Sequence, residues 1–253
     1  MIVSRELEEA SRDYRFLLDR GYPPKASLAL VGNRWRLDAE ERLVLFRGVA
    51  STADSLARSA KLQTPGRGEV VLVDLYNVSF TIVHYLIGKP CFVSSDGFLR
   101  DAGANYGRIA HDAELLRAFD LIASALIGLS PFKIEAYLDA PVSRSGEHVV
   151  AFRGAWDAAR KQAEAGTADP EAVAAENMDC VVEAVHSADG AIAGRLAAWR
   201  TDGREAFVLS SDSAVIDRSA KALDLARQII TSVFGKCGGE ADGIPWILPP
   251  DGA

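Results

Sequence analysis

Three apolar runs of strand type end on an aspartate: "VVLVD" at Asp74, "YLD" at Asp139 and "VLSSD" at Asp212. A fourth acid, Asp96, follows the short run "PCFVSS". In an open parallel sheet the carboxyl ends of the strands share one edge, and ligands bind in the crevice outside it, so acids distant in sequence can meet there. Carboxylates gathered in one cleft repel one another unless a cation joins them. Mg²⁺ or Mn²⁺ suits such a cluster, since both seek oxygen ligands and keep waters able to attack a phosphodiester. On this reading Asp74, Asp139 and Asp212 are catalytic and, together with Asp96, hold the metal. The competing role at each position is capping of the following helix, a task aspartate performs well. Taken one at a time, capping is the plainer assignment; the recurrence of the pattern is what favours a metal site.

Neighbouring residues could bind a phosphorylated substrate. Asn77 falls in the first turn after Asp74, where it can hold a phosphate or make a local turn bond. The loop "APVSRSGEH" places Ser143, Arg144, Ser145 and Glu147 just beyond Asp139, and Arg144 offers a fork of donors to phosphate oxygens. "DGFLRDAGANYGRIA" is a glycine-rich polar loop with Arg100 and Asp101, which either face a ligand or pair with each other. Ser210, Ser211 and Ser213 flank Asp212 and either donate to phosphate or cap a helix. The expected substrate-binding set is Asn77, Arg100, Ser143, Arg144 and Ser211. His84, His111, His148 and His186 have no metal spacing, and Trp35, Trp156, Trp199 and Trp246 are scattered as core residues are.

The elements around these residues change character along the chain. Residues 1–63 read as a helical domain. A stripe from Val3 to Leu18 is amphipathic, "DRGYPP" stops it, and Asp38 with Glu41 makes a capping-box pattern before the third helix. Asn33, Arg34, Arg36, Arg42 and Arg47 lie close together in this domain, as in a helix-turn-helix-like unit or on a solvated face. After the linker "QTPGRGE", residues 64–235 alternate strand and helix, the pattern of a doubly wound, mostly parallel α/β sheet. "SAVIDRSAKALDLARQIITSVFG" reads as one long helix, and residues 236–253 as an irregular tail.

Composition narrows the classes further. The chain has 253 residues, a formal charge of −7 and a pI near 5.2, which oppose a general electrostatic grip on polyanions but leave room for a local basic face. Cys91, Cys180 and Cys237 are odd in number and lack zinc spacing, as in a reduced cytoplasmic protein. The N-terminal segment becomes charged at once, and no apolar run is long enough to span a bilayer, so neither a signal peptide nor membrane association is expected. Tyr76 stands where a haloacid-dehalogenase-type phosphatase needs its second aspartate. There is no glycine fingerprint after the first strand, no P-loop and no GxSxG elbow.

"VDLYNV" and "LSSDSAVID" resemble the "VDGxN" and late "SxDxD" segments of PIN-like nucleases, including their NYN-type branch. Asp74, Asn77 and Asp212 match, Asp217 matches more loosely, and Leu75 departs from the usual small residue. Together with "DGFLRD", "LDAPVSRSGE" and the segment "LLDRGYPPKASLALVGNRWRLDAEERLVLFRGV", they resemble an uncharacterised prokaryotic family over about residues 14–230. Its members join an N-terminal helical domain of unknown function to a PIN-like domain. The resemblance implies a PIN-like sheet and a metal-dependent ribonuclease. RNA is then the partner to consider, with no signal specific to DNA and no indication of oligomeric state. Two alternatives stay open: a non-catalytic PIN-like module binding RNA, nucleotide or protein, and an enzyme acting on a small phosphorylated metabolite.

Overall fold

The structure, a computed structural model, describes residues 4–89, 91–102, 112–166 and 178–234. Residues 103–111 with His111, residues 167–177, and the tail with Cys237 and Trp246 lie outside the described residues. The chain opens with α1 (Arg5–Asp19), α2 (Pro24–Arg34), α3 (Ala39–Gly48) and α4 (Thr52–Ser59). β1 (Val70–Asp74), α5 (Leu75–Leu86), β2 (Cys91–Val93), β3 (Leu99–Asp101) and α6 (Asp112–Leu129) follow. Next come β4 (Lys133–Asp139), α7 (Ser145–Gly166), β5 (Asp179–Val185) and α8 (Ala188–Thr201). β6 (Phe207–Leu209), α9 (Ser213–Arg218), β7 (Lys221–Leu223) and α10 (Leu225–Phe234) complete the described chain. No helix among the described residues is long and apolar enough to cross a membrane.

Two units result. In the one containing residues 61–83, 112–166 and 178–229, a five-stranded parallel sheet runs β5-β4-β1-β6-β7. β1 lies at its centre and is buried at every position, as a strand covered on both faces must be. One face of β1, through Val70 and Leu72, packs with Tyr137, Val208 and the Ala188, Ile192 and Leu196 side chains of α8. The chain builds outward from β1 to β4 and β5, then crosses back to lay β6 and β7 on the other side. The order therefore reverses between β1 and β6, the switch point of a doubly wound sheet.

The segment expected as one long helix is instead helix, strand, helix. Its apolar positions continue without a gap, so the pattern looks helical, but Ser219 is extended (φ −89°, ψ 159°) and returns both its N–H and its hydroxyl to the Ile216 carbonyl. β7 then adds to the sheet, and Asp224 restarts the helix by accepting the Arg227 N–H. Leu62 bridges Ala222 on the outer side of β7, and Lys61 Nζ donates to the Ile216 and Asp217 carbonyls.

The other unit contains residues 4–60, 84–102 and 230–234. Ser4 caps α1, and Asp38 and Glu41 close the capping box of α3. Gly21, at φ 78°, makes the turn before Pro24 opens α2. Leu7, Tyr14, Val31, Val44 and Leu45 form its core together with Phe92 of β2. That residue shows why the expected boundary at 63/64 falls short: the segment 84–102 gathers with the N-terminal helices.

β2 and β3 pair antiparallel as a two-stranded hairpin. The run before Asp96 is thus not a strand of the parallel sheet, which corrects the expected fourth strand end. Asp96 is wholly buried in the hairpin turn and accepts the Arg100 guanidinium at 2.9 and 2.8 Å, the Ser94 hydroxyl and the Phe98 N–H, with Arg58 at 3.6 Å. Burial alone would raise its pKa, but the charge and hydrogen bonds of Arg100 with those of Ser94 and Phe98 hold it below the usual carboxylate range. Asp96 and Arg100, expected as metal ligand and phosphate contact, are engaged here with each other. Asp101 is similarly tied to Arg47 and His84.

Removing one partner of a buried ion pair leaves the other uncompensated, which costs about 3–5 kcal/mol. Asp96→Ala is therefore expected to shift the urea midpoint strongly downward. A midpoint within error of wild type would show that Arg100 does not depend on Asp96.

Candidate functional site

The crevice between β1 and β6 is built from two backbone reversals. Asp74 closes β1 and turns at once into α5, with Oδ1 accepting the Asn77 N–H at 3.2 Å. Across the crevice, β6 runs out through Ser210 and Ser211 to Asp212, whose Oδ1 accepts the Ala214 and Val215 N–H groups at 2.7 and 3.3 Å and so caps α9. Two serines lace the sides together. The Ser210 hydroxyl donates to Asp74 Oδ2 at 3.1 Å and accepts the Asp212 N–H at 3.0 Å. Asn77 Oδ1 accepts both the Ser211 N–H and its hydroxyl, at 2.8 and 3.0 Å.

Asp139 joins from the neighbouring strand. The register sets Tyr137 beside Asp74, so Asp139 lies one pleat further along the same face, with its Cα roughly 8 Å from that of Asp74. Its Oδ1 accepts the Ala188 N–H at 2.9 Å, tying β4 to the start of α8. That contact brings in Asp189, the second residue of α8, which was not among the expected site residues. The missed signal lies in "HSADG": Asp189 follows β5 by only four positions, but it is not the strand's last residue.

The four acids feel one another. Asp74 is buried, and burial is the main reason its pKa rises to about 7; the Asn77 N–H opposes the rise, and the charges of Asp189 and Asp212 add to it. Asp189 is raised by burial and then by Asp212 and Asp139, with Arg218 acting against them. Asp74, Asp139 and Asp212 all perform the capping or tethering that competes with a site. Among the described residues, however, Asp139 Oδ2, Asp212 Oδ2 and the Asp189 carboxylate meet no hydrogen-bond donor, and none of the four acids forms an ion pair. These are hard oxygen donors, the chemistry that Mg²⁺ and Mn²⁺ take. Among the described residues no group of three or more His, Cys, Asp or Glu is gathered closely enough to enclose a metal ion.

The other expected residues fall in different places. Asn77 and Ser211 meet each other across the crevice. Ser143 is exposed in the loop after β4. Arg144 adopts a left-handed backbone (φ 65°) and directs its guanidinium to Glu147, at 2.7 and 2.9 Å, and to Asp112. Behind Asp74, the Tyr76 hydroxyl lies 2.8 Å from His148 Nδ1, both residues being buried. Burial lowers the His148 pKa, and burial with the Asp139 charge raises that of Tyr76, so the two form a neutral pair.

Comparison with known proteins places this arrangement in a family. Residues 6–61 match a family described as a protein of unknown function, DUF434, and residues 65–201 match one described as a domain of unknown function, DUF5616. An uncharacterized protein of Methanocaldococcus jannaschii is 28% identical over 142 residues, which span 55% of this chain and 68% of the relative. No solved structure matches. Asp74, Asp139 and Asp189 lie within the second matched segment and Asp212 beyond it. Because that segment covers more than half of the sequence, the chain belongs to the DUF5616 family.

Proposed function

We propose that the protein is a metal-dependent phosphodiesterase of PIN-like type that cleaves RNA, with the β1–β6 crevice as its active site. One observation carries this reading: four carboxylates line the switch point without an ion pair among the described residues, Asp74 and Asp189 feel the charges of the others, and burial raises the Asp74 pKa to about 7. Asp74, Asp139 and Asp212 would hold Mg²⁺ or Mn²⁺, with Asp189 as a fourth oxygen donor. A divalent ion held there would supply a water of lowered pKa and would offset the charge that builds on phosphate. Asp74 must give up its proton to take part, so ion binding is coupled to proton release. Ser210 and Ser211 keep the Asp74 and Asp212 segments in register. The non-catalytic PIN-like alternative has an observation of its own, the absence of a closely gathered acid triad among the described residues.

Cleavage separates the two readings. Labelled single-stranded RNA with Mn²⁺ is expected to be cut by wild type. Asp74→Asn and Asp212→Asn should each cut at least roughly 100-fold more slowly, the scale lost when a group stabilising transition-state charge is removed. Equal rates in all three proteins would trace the activity to a contaminant.

Stability against pH gives a second check. In the native state Asp74 keeps a proton between about pH 4 and 7 that the unfolded chain has already released, so wild-type stability falls as pH rises through that window. In metal-free buffer Asp74→Asn is therefore expected to be more stable than wild type at pH 8, by up to about 4 kcal/mol, and no more stable at pH 4. Mn²⁺ should raise the wild-type melting temperature at pH 8 and leave that of Asp74→Asn unmoved. Equal shifts in both proteins would place manganese elsewhere.

A further inference from the structure

We propose that the α1–α2 hairpin of the N-terminal unit carries a docking surface for single-stranded nucleic acid. The inference does not depend on the phosphodiesterase reading. Residues 12–36 contain six Lys or Arg and two Asp, a net +4 within a chain of net −7. Both aspartates are already engaged: Asp13 accepts the Trp35 indole N–H at 2.8 Å, and Asp19 accepts the Thr52 N–H and hydroxyl at 2.6 and 2.8 Å. Among the described residues Arg15, Arg20, Lys25, Arg34 and Arg36 form no ion pair. Arg42 and Arg47, which the sequence groups with them, are committed to the fold. Arg42 donates to the Leu37 carbonyl and to Asn33, and Arg47 to Asp101.

The cations are interleaved with rings, of which Phe16 and Tyr22 are exposed and Trp35 is half-buried against the core. The Arg20 guanidinium lies 4.3 Å over the Phe16 ring, and that of Arg34 lies 5.3 Å over Trp35. Phe16 and Tyr22 are each 56% exposed, a large apolar exposure for residues beside a formed core. Asp13, Phe16 and Arg20 are spaced i, i+3 and i+7 and share one face at the C-terminal end of α1. The Asp13 bond sets Trp35 against that same face. The result is a row of about 10 Å along the helix that runs from the Trp35 indole held on Asp13 through the Phe16 ring to the Arg20 guanidinium. It matches two to three stacked nucleotides at about 3.4 Å per phosphate. Aromatic and guanidinium planes accept any base by stacking, while the free cations meet the backbone. An acidic peptide would use the charge but has no need of the rings, so the exposed rings favour nucleic acid.

Fluorescence anisotropy of a labelled 12-nucleotide oligouridylate tests this on the full chain in EDTA, where metal-dependent cleavage and metal binding in the crevice play no part. Wild type is expected to bind with an affinity that falls steeply as salt rises. Phe16→Ala and Arg20→Gln should each weaken binding about 5-fold or more, whereas Lys161→Ala, at an exposed position of α7, should leave it unchanged. Thermal melting confirms that the exposed substitutions leave the fold intact. Should a perfect duplex bind as tightly as the single strand, or a polyaspartate peptide compete at equal charge, the surface would be a general anion or acidic-peptide site and the proposal would fail. It fails equally if Phe16→Ala binds like wild type. Binding in EDTA by a wild-type protein that then fails to cut RNA in Mn²⁺ would count against the phosphodiesterase reading alone.

Discussion

The hydrogen bonds that Ser210 and Ser211 make across the β1–β6 crevice hold together segments more than 130 residues apart at the one place where strand order reverses. The β1–β6 ladder stops at Val73 and Leu209, so beyond it these side-chain bonds are what ties Asp74 to the segment that carries Asp212. With them, a buried acid and a helix-capping acid share a rim, and Asp139 and Asp189 close on it from β4 and α8. A polar group inside an apolar sheet is tolerated only when bonded. Asp74 meets that condition through one backbone and one hydroxyl donor, yet burial still keeps its ionised form costly. The crevice is thus polar, bonded and short of positive charge.

The two units handle buried carboxylates in opposite ways. In the hairpin, Asp96 is neutralised by Arg100 and Asp101 by Arg47, with His84 Nδ1 2.8 Å from Asp101, and the charges serve cohesion. In the sheet, Asp74, Asp139 and Asp212 have backbone amides or a hydroxyl as partners, and among the described residues none of these or Asp189 forms an ion pair, Arg218 acting on Asp189 only through its charge. Identical side chains thus serve packing in one place and remain available for chemistry in the other. The difference lies in whether a guanidinium is within reach.

Much of this was legible beforehand. "VVLVD" and "KIEAYLD" read as strands, and the alternation with helices as a parallel sheet, as β1 and β4 prove to be; the Asp38–Glu41 spacing marked the start of α3. What escaped notice did so for physical reasons. The hairpin segment looked like one more sheet strand because three apolar residues before an acid carry no record of their partner; antiparallel pairing with Leu99–Asp101 is decided by Gly97 and by the Arg100 fork. β7 was hidden because Ala222 and Leu223 continue a helical periodicity that only the extended backbone at Ser219 interrupts. Asp189 lacked the strand-end position that singled out the others, and its place depends on a contact between Asp139 and a backbone amide 49 residues away. Arg144 is claimed by Glu147, three residues on, and by Asp112, 32 positions upstream; only the second is hidden by distance in sequence.

The bridge from Leu62 to Ala222 makes the apparent linker a sealing strip. β7 is only three residues long and terminates the sheet, and its outer backbone groups are met by Lys61 and Gln63. An unpaired edge is a template for adhesion between molecules. A protein trimmed to begin at Glu69 would bare that edge, and would also strip the α9 carbonyls of the Lys61 ammonium. The connecting peptide thus works as a gasket, and autonomy of the α/β portion begins at residue 61.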